Sequence, residues 1–235
     1  MKPPTLLGLI DRRILVNFTV DPGIVAGMLP GPFRPKTYKN KAIIGICLIR
    51  LKHIRPKGFP AFTGIASENG AHRIAVEWDE GNVVREGVYI PRRDTASRLN
   101  AWLGGRLFPG RHHLAQFRVE EGGDRYQVAF TSADGAHMAI DAQETTSLSP
   151  SSVFETLPCC SSFFEQGACG YSPNGTTFEG MKLTIPAWQV RPLRVSSVYV
   201  SLFEDESLFP KGSVVFDNAL IMTGMASEWR ALEDK

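Results

Sequence analysis

Apolar and polar residues alternate with a period of two along most of this chain, the signature of half-buried strands. Ile14, Val16, Phe18 and Val20 share one face, while Leu15, Asn17 and Thr19 share the other. Ile74, Val76 and Trp78 alternate with Arg73, Ala75 and Glu77, and the turn Asp79-Glu80-Gly81-Asn82 leads into a partner strand ending near Pro91. Residues 41–54 are apolar on both faces for most of their length, which predicts a central strand. A meander over 112–120, 125–132 and 136–146 is punctuated by Gly122-Gly123 and Asp134-Gly135, and the Asp-Gly pair favours a tight hairpin. Asn174-Gly175 marks another hairpin, and further strands are expected near 177–185, 193–203 and 213–225.

Helical signals are few. Asp21-Pro22-Gly23 caps and opens a short helix over 22–29, stopped by Pro30-Gly31-Pro32. Ala96, Leu99 and Leu103 fall at helical spacing over 95–103, with Gly104-Gly105 ending the run. Residues 150–166 read as two short helices broken at Pro158, with Ser152 and Glu155 at capping-box spacing. The expectation is one mainly β domain over residues 1–235, its core spanning about 10–230, with antiparallel strands and a few short helices.

The composition narrows the function classes. Hydrophobic residues make up 43% and charged residues 21%, which excludes a disordered or collagen-like chain. Lys+Arg 26 and Asp+Glu 24 nearly cancel, leaving no electrostatic case for nucleic acid or anionic membrane as the main partner. No apolar run reaches the ~20 residues of a membrane span, and the start Met1-Lys2-Pro3-Pro4 does not read as a signal peptide. A cytoplasmic location is expected, and a homo-oligomer is left open. Four cysteines in a chain of 235 residues do not suggest a disulfide framework. Cys47 reads as a small buried hydrophobe; Cys159, Cys160 and Cys169 lack the spacing and the neighbouring histidines of a zinc site. No metal or other cofactor is expected. Gly-x-Ser-x-Gly, phosphate-binding and dinucleotide-binding motifs are missing. Of the adjacent His112 and His113, at most one can enter a given cavity, because neighbours on a strand point to opposite faces.

The segment Arg85-Glu86-Gly87-Val88-Tyr89-Ile90-Pro91-Arg92-Arg93-Asp94 gathers three arginines and two acids at the end of an apolar strand. One reading is a solvated charge cluster. The other places one arginine in the interior, where a guanidinium needs a carboxylate partner or an anionic ligand. Glu68, Arg73, Glu77 and Glu86 could supply its counter-charges and hydrogen bonds.

Arg85-Glu86 followed by Pro91-Arg92-Arg93 resembles the acetoacetate decarboxylase motif, in which Arg-Glu is followed by a glycine and then Pro-Lys-Lys. The wider chain is more similar to acetoacetate-decarboxylase-like bacterial proteins that form a conserved domain of unknown function. Supporting segments include Val20-Asp21-Pro22, Glu68 with Arg73, Gly87-Val88-Tyr89, Phe108-Pro109-Gly110 and Ile185-Pro186-Ala187-Trp188. The resemblance implies a closed, cone-like antiparallel barrel around a largely apolar cavity. It also implies a Schiff-base reaction, in which the first lysine attacks a β-keto acid and the second helps lower its pKa. Arg92 and Arg93 occupy those positions, and Tyr89 replaces the glycine. An arginine stays protonated and cannot form that imine, so the reaction does not carry over.

Three functions remain: binding of a small organic acid in the cavity, a decarboxylase or aldol-type lyase using another lysine, and a non-catalytic structural or interaction module. The expected ligand-binding residues are Arg92, Glu68, Arg73, Glu86 and Tyr89, with Arg92 facing the cavity and Arg93 turned away. Lys182, in the strand 179–185, is the lysine the second reading would recruit; its alternative is an ordinary exposed strand lysine.

Overall fold

Long strands dominate the computed structural model, which describes residues 4–103 and 108–233. In chain order these are β1 (Leu6–Val20), β2 (Arg34–Pro35), β3 (Thr37–Tyr38), β4 (Lys41–Pro56), β5 (Ile65–Glu80) and β6 (Val83–Thr95). The meander follows as β7 (His112–Gly122), β8 (Arg125–Ser132) and β9 (His137–Glu144). The last four are β10 (Cys169–Asn174), β11 (Thr177–Thr184), β12 (Arg191–Val200) and β13 (Val215–Ala231). All join one sheet in the order β11-β10-β6-β7-β8-β9-β12-β13-β1-β4-β5-β2, with β3 on β4. Additional pairings of β6 with β5 and β11 with β13 bring this path back on itself, so the sheet is ring-like.

The doubly apolar run 41–54 explains the position of β4, which is paired along its length between β1 and β5. The pairing is not wholly antiparallel. β6 runs parallel to β7 and to β10. Parallel neighbours need a crossover, and the chain between β6 and β7 includes α2 (Arg98–Leu103).

The helices are shorter than the sequence suggests. α1 covers only Pro22–Ala26, with the Asp21 carboxylate accepting from Gly23 N at 2.7 Å. α2 starts at Arg98, where the Ser97 hydroxyl accepts from Asn100 N at 3.2 Å. The Gly104-Gly105 stop lies outside the described residues. The expected pair of helices over 150–166 is a single one, α3 (Leu157–Glu165), capped by Thr156 accepting from Cys159 N. Pro158 begins this helix instead of breaking it, because a first-turn residue needs no donor N–H. Ser152 does not cap; its hydroxyl donates to Asp217 Oδ2 at 2.8 Å.

The strands β13, β1, β4, β5 and β6 are buried on both faces and divide the interior in two. One side is filled by Ile14, Val16, Phe18, Ile46, Trp78, Phe130 and Ile140, with Phe33, Trp78, Tyr89, Tyr171 and Phe178 in mutual ring contact. Burial stabilises by ~1.5–3 kcal/mol for each such large side chain. The other side carries Leu15, Ile43, Cys47, Ala71, Ile90, Met222 and Trp229, and α3 lays Cys160, Phe163 and Phe164 against it. This second side is not filled completely.

Candidate functional site: an arginine-lined cavity

The unfilled space is a cavity of about 350 Å³. Its walls come from β1, β4, β5, β6, β11, the loop before β10 and Trp188. Strand alternation decides most of the lining. Cys47, Ile49 and Leu51 of β4, Ala71 and Arg73 of β5, and Val88 and Ile90 of β6 all point the same way. Continued alternation would bring Arg92 in next, and it does not. His72 pairs with Arg92 and Ile74 with Tyr89, so two residues of β6, Ile90 and Pro91, oppose the single residue Arg73 of β5. This one-residue bulge reverses the phase of β6 beyond Pro91. Arg93 therefore lines the cavity, and Arg92 turns to the opposite face beside His72.

Arg92 is fully committed there. It donates to Asp94 at 2.7 Å and to Asp134 at 2.7 and 2.8 Å. Hydrogen bonds from Arg92 hold the Asp134 carboxyl well below the usual carboxylate range. The expectation that Arg92 faces the cavity is thus corrected, and the bulge is the reason. Glu68 does not line the cavity either. It binds Arg12 at 2.6 Å and Arg50 at 2.5 Å, in a square completed by Glu121. Glu86 is bound to Lys36 at 2.5 Å, and Tyr89 lies in the filled core against Phe33 and Phe178. Among the five expected ligand residues, Arg73 alone lines the cavity.

Three guanidiniums meet there: Arg13, Arg73 and Arg93. Arg13 was not anticipated; its phase with Leu15 and Asn17 opposite Ile14 and Val16 was the available signal. Its Nε donates to Cys47 Sγ at 3.0 Å, and its guanidinium lies 5.7 Å from the Trp188 ring centre. Arg73 is 5% exposed, donates to Asn17 Oδ1 and lies 4.8 Å from the Phe164 ring centre. Asn17 Nδ2 donates in turn to Asn218 Oδ1 at 2.7 Å. Gly45 pairs with both Asn17 and Arg73, and a Cβ there would come within 2.2 Å of Val16 O. Close approach of strands at that point therefore requires glycine. Arg93 donates to Ser172 Oγ at 3.2 Å.

Among the described residues, none of these three guanidiniums has a carboxylate within ion-pair distance. Burial pushes Arg73 and Arg93 down to about 10, which leaves both charged at neutral pH. Arg73 Nε is buried without a hydrogen-bond partner. His112 also lines the cavity, with Nδ1 at 3.1 Å from Gly110 O, while His113 faces Asp134 at 3.1 Å. Burial first, and then Arg93, push His112 down to about 3, so it is neutral. Lys182 lies on the rim of the same cavity and is exposed. Cys47 is buried as expected but also faces the cavity. Among the described residues, no group of three or more His, Cys, Asp or Glu could hold a metal ion, and no helix is long and apolar enough to cross a membrane.

Solved structures share this architecture. Acetoacetate decarboxylase from Legionella pneumophila subsp. pneumophila str. Philadelphia 1 superposes with a TM-score of 0.61 at 12% identity, over 99% of this chain and 88% of that one. An acetoacetate decarboxylase-like enzyme from Sphingomonas wittichii RW1 gives 0.55 at 10% identity, over 98% and 91%. The enduracididine biosynthesis enzyme MppR complexed with pyruvate gives 0.58 at 11% identity, over 100% and 90%. At these identities the likeness establishes a mainly β, acetoacetate decarboxylase-like fold. No curated protein matches the sequence. A family model matches residues 10–219, nearly the whole of the described fold, and the chain belongs to that family, DUF2071, described as an uncharacterized conserved protein.

Proposed function

We propose that the protein binds a small organic acid in the arginine-lined cavity. The observation that carries this reading is the set of three guanidiniums around one cavity with no carboxylate among the described residues paired to any of them. A desolvated cation without a partner costs several kcal/mol, and an anionic ligand offsets that cost with bidentate hydrogen bonds. Apolar walls formed by Leu51, Ile90, Phe108, Met181 and Trp229 suit the remainder of such a ligand. The pyruvate complex of MppR, a protein of the same fold, supports the choice of ligand class. We read the ring of strands as a closed, cone-like barrel within a single domain, supported by the β6–β5 and β11–β13 pairings.

Keto, hydroxy and aromatic acids are the probes, and thermal denaturation is the measurement. A bound acid at ~100 times its dissociation constant stabilises by about 2.7 kcal/mol, or roughly 5–10 °C for a domain of this size. Arg93→Met should abolish that shift. A panel of acids that moves neither protein would sink the reading.

One observation favours a second reading, a Schiff-base lyase. Lys182 lines the same cavity, although the motif positions hold Arg92 and Arg93. Its exposure argues against it, because an imine-forming amine needs desolvation to lose its proton near neutral pH.

A further inference from the structure

We infer that the ligand of this cavity carries two acidic groups, shared among the guanidiniums of Arg13, Arg73 and Arg93. The inference rests on the organic-acid reading and specifies its ligand. Four cations line the cavity, Arg13, Arg73, Arg93 and Lys182, against two carboxylates, Asp94 and Glu165. The excess is two positive charges even if both carboxylates are counted in full. Asp94 is already claimed from the opposite face by Arg92 and accepts from Ser132 Oγ at 2.5 Å. Glu165 is exposed, at the end of α3. His112, neutral, changes nothing in this balance. Against three guanidiniums a monocarboxylate compensates one charge and a dicarboxylate two, and the larger residual cost disfavours the monocarboxylate.

The cations also differ in exposure. Arg73 is 5% exposed, Arg13 and Arg93 are half-buried, and Lys182 is exposed. Arg73 is fixed by Asn17 and by the Phe164 ring, and its Nε remains unpartnered. Arg13 is fixed by Cys47 and Trp188. Apolar side chains, Ile90, Phe108 and Trp229 among them, line the same cavity. The complementary molecule is a dicarboxylate with a hydrocarbon or aromatic body.

Matched pairs of acids test this at constant ionic strength by titration calorimetry: hexanoate against adipate, and benzoate against isophthalate. Each diacid should bind at least tenfold more tightly than its monoacid, since a hydrogen-bonded charge pair contributes that much or more. Arg73→Met and, separately, Arg13→Met should bring the ratio close to one. Arg13→Met keeps the test available if the loss of Arg73 disturbs folding around Asn17. Equal affinity of mono- and diacids, or a ratio unchanged in both variants, would overturn the two-acid inference and leave the organic-acid reading standing. Binding of none of the four acids would overturn both.

Discussion

The two faces of β5 and β6 meet the same constraint with opposite solutions. On the filled side, His72, Ile74, Trp78 and Tyr89 are packed among aromatic rings, and Arg92, which turns to that side, is tied to two aspartates. On the hollow side, Arg73 and Arg93 look into open volume with no carboxylate partner among the described residues. Two adjacent arginines thus differ in role although their chemistry and sequence neighbourhood are nearly the same. A guanidinium held by two carboxylates has its donors committed, whereas one without a carboxylate keeps donors free toward the cavity. The difference is set by one extra residue at Pro91.

The largest expected effect of breaking this contrast is at Arg92. Arg92→Met strips the counter-charge from Asp94, which is 0% exposed, and should cost about 3 kcal/mol, or roughly 6–12 °C in Tm. Urea denaturation measures it, and a loss under 1 kcal/mol would show that Arg92 is not the clamp.

Next in size is a pH effect from the filled side. His72 is 2% exposed, neither ring nitrogen has a hydrogen-bond partner, and burial pushes its pKa down to about 4. The unfolded chain takes up this proton near pH 6.5, while the folded chain resists until about 4. The neutral His72 therefore contributes its full stability above pH 6.5 and loses it as the pH falls toward 4. The expected slope is about 1 kcal/mol per pH unit between pH 6 and pH 5. His72→Phe, packing against Phe130 and Phe203, should remove that share of the slope. An identical slope in the variant would assign the acid sensitivity to other groups.

A smaller effect is expected on the hollow side. Arg93→Met deletes a desolvated charge whose side chain, among the described residues, bonds only to Ser172, so stability should stay level or rise by up to about 1 kcal/mol. Opposite signs for Arg92→Met and Arg93→Met are the sharpest form of the comparison. Destabilisation by Arg93→Met equal to that of Arg92→Met would erase it.

The last expected outcome is no change at all. Incubation with acetoacetate or pyruvate and borohydride should add no mass, because the motif positions hold arginines and Lys182 is exposed. A stoichiometric adduct mapped to Lys182 by peptide mass spectrometry would promote the lyase reading.

Much of the architecture was legible in the residues themselves. The period-two alternation of Ile14, Val16, Phe18 and Val20 and the doubly apolar stretch 41–54 became β1 and the strand beside it, β4. Asp134-Gly135 and Asn174-Gly175 turn the chain as anticipated, with Gly135 at φ 90° and Gly175 at φ 62°. The divergence of Arg92 from Arg93, and of His112 from His113, was equally readable, because neighbours on a strand point apart by geometry alone.

Other features depended on distant partners. Glu68 and Glu86 were plausible counter-charges for a cavity arginine, yet Arg12, Arg50 and Lys36 claim them first. No local pattern announces which of several cations reaches a given carboxylate. Pro158 could break a helix or begin one, and only its place one residue after Leu157 at the start of α3 settled the matter. The sequence by itself determined most of the strands and their inward faces, because these follow from periodicity. Which arginine faces the cavity was decided only by tertiary structure. Pairing of β5 with β6 admits one unpaired residue at Pro91, and a one-residue change of phase moves every later side chain to the other face.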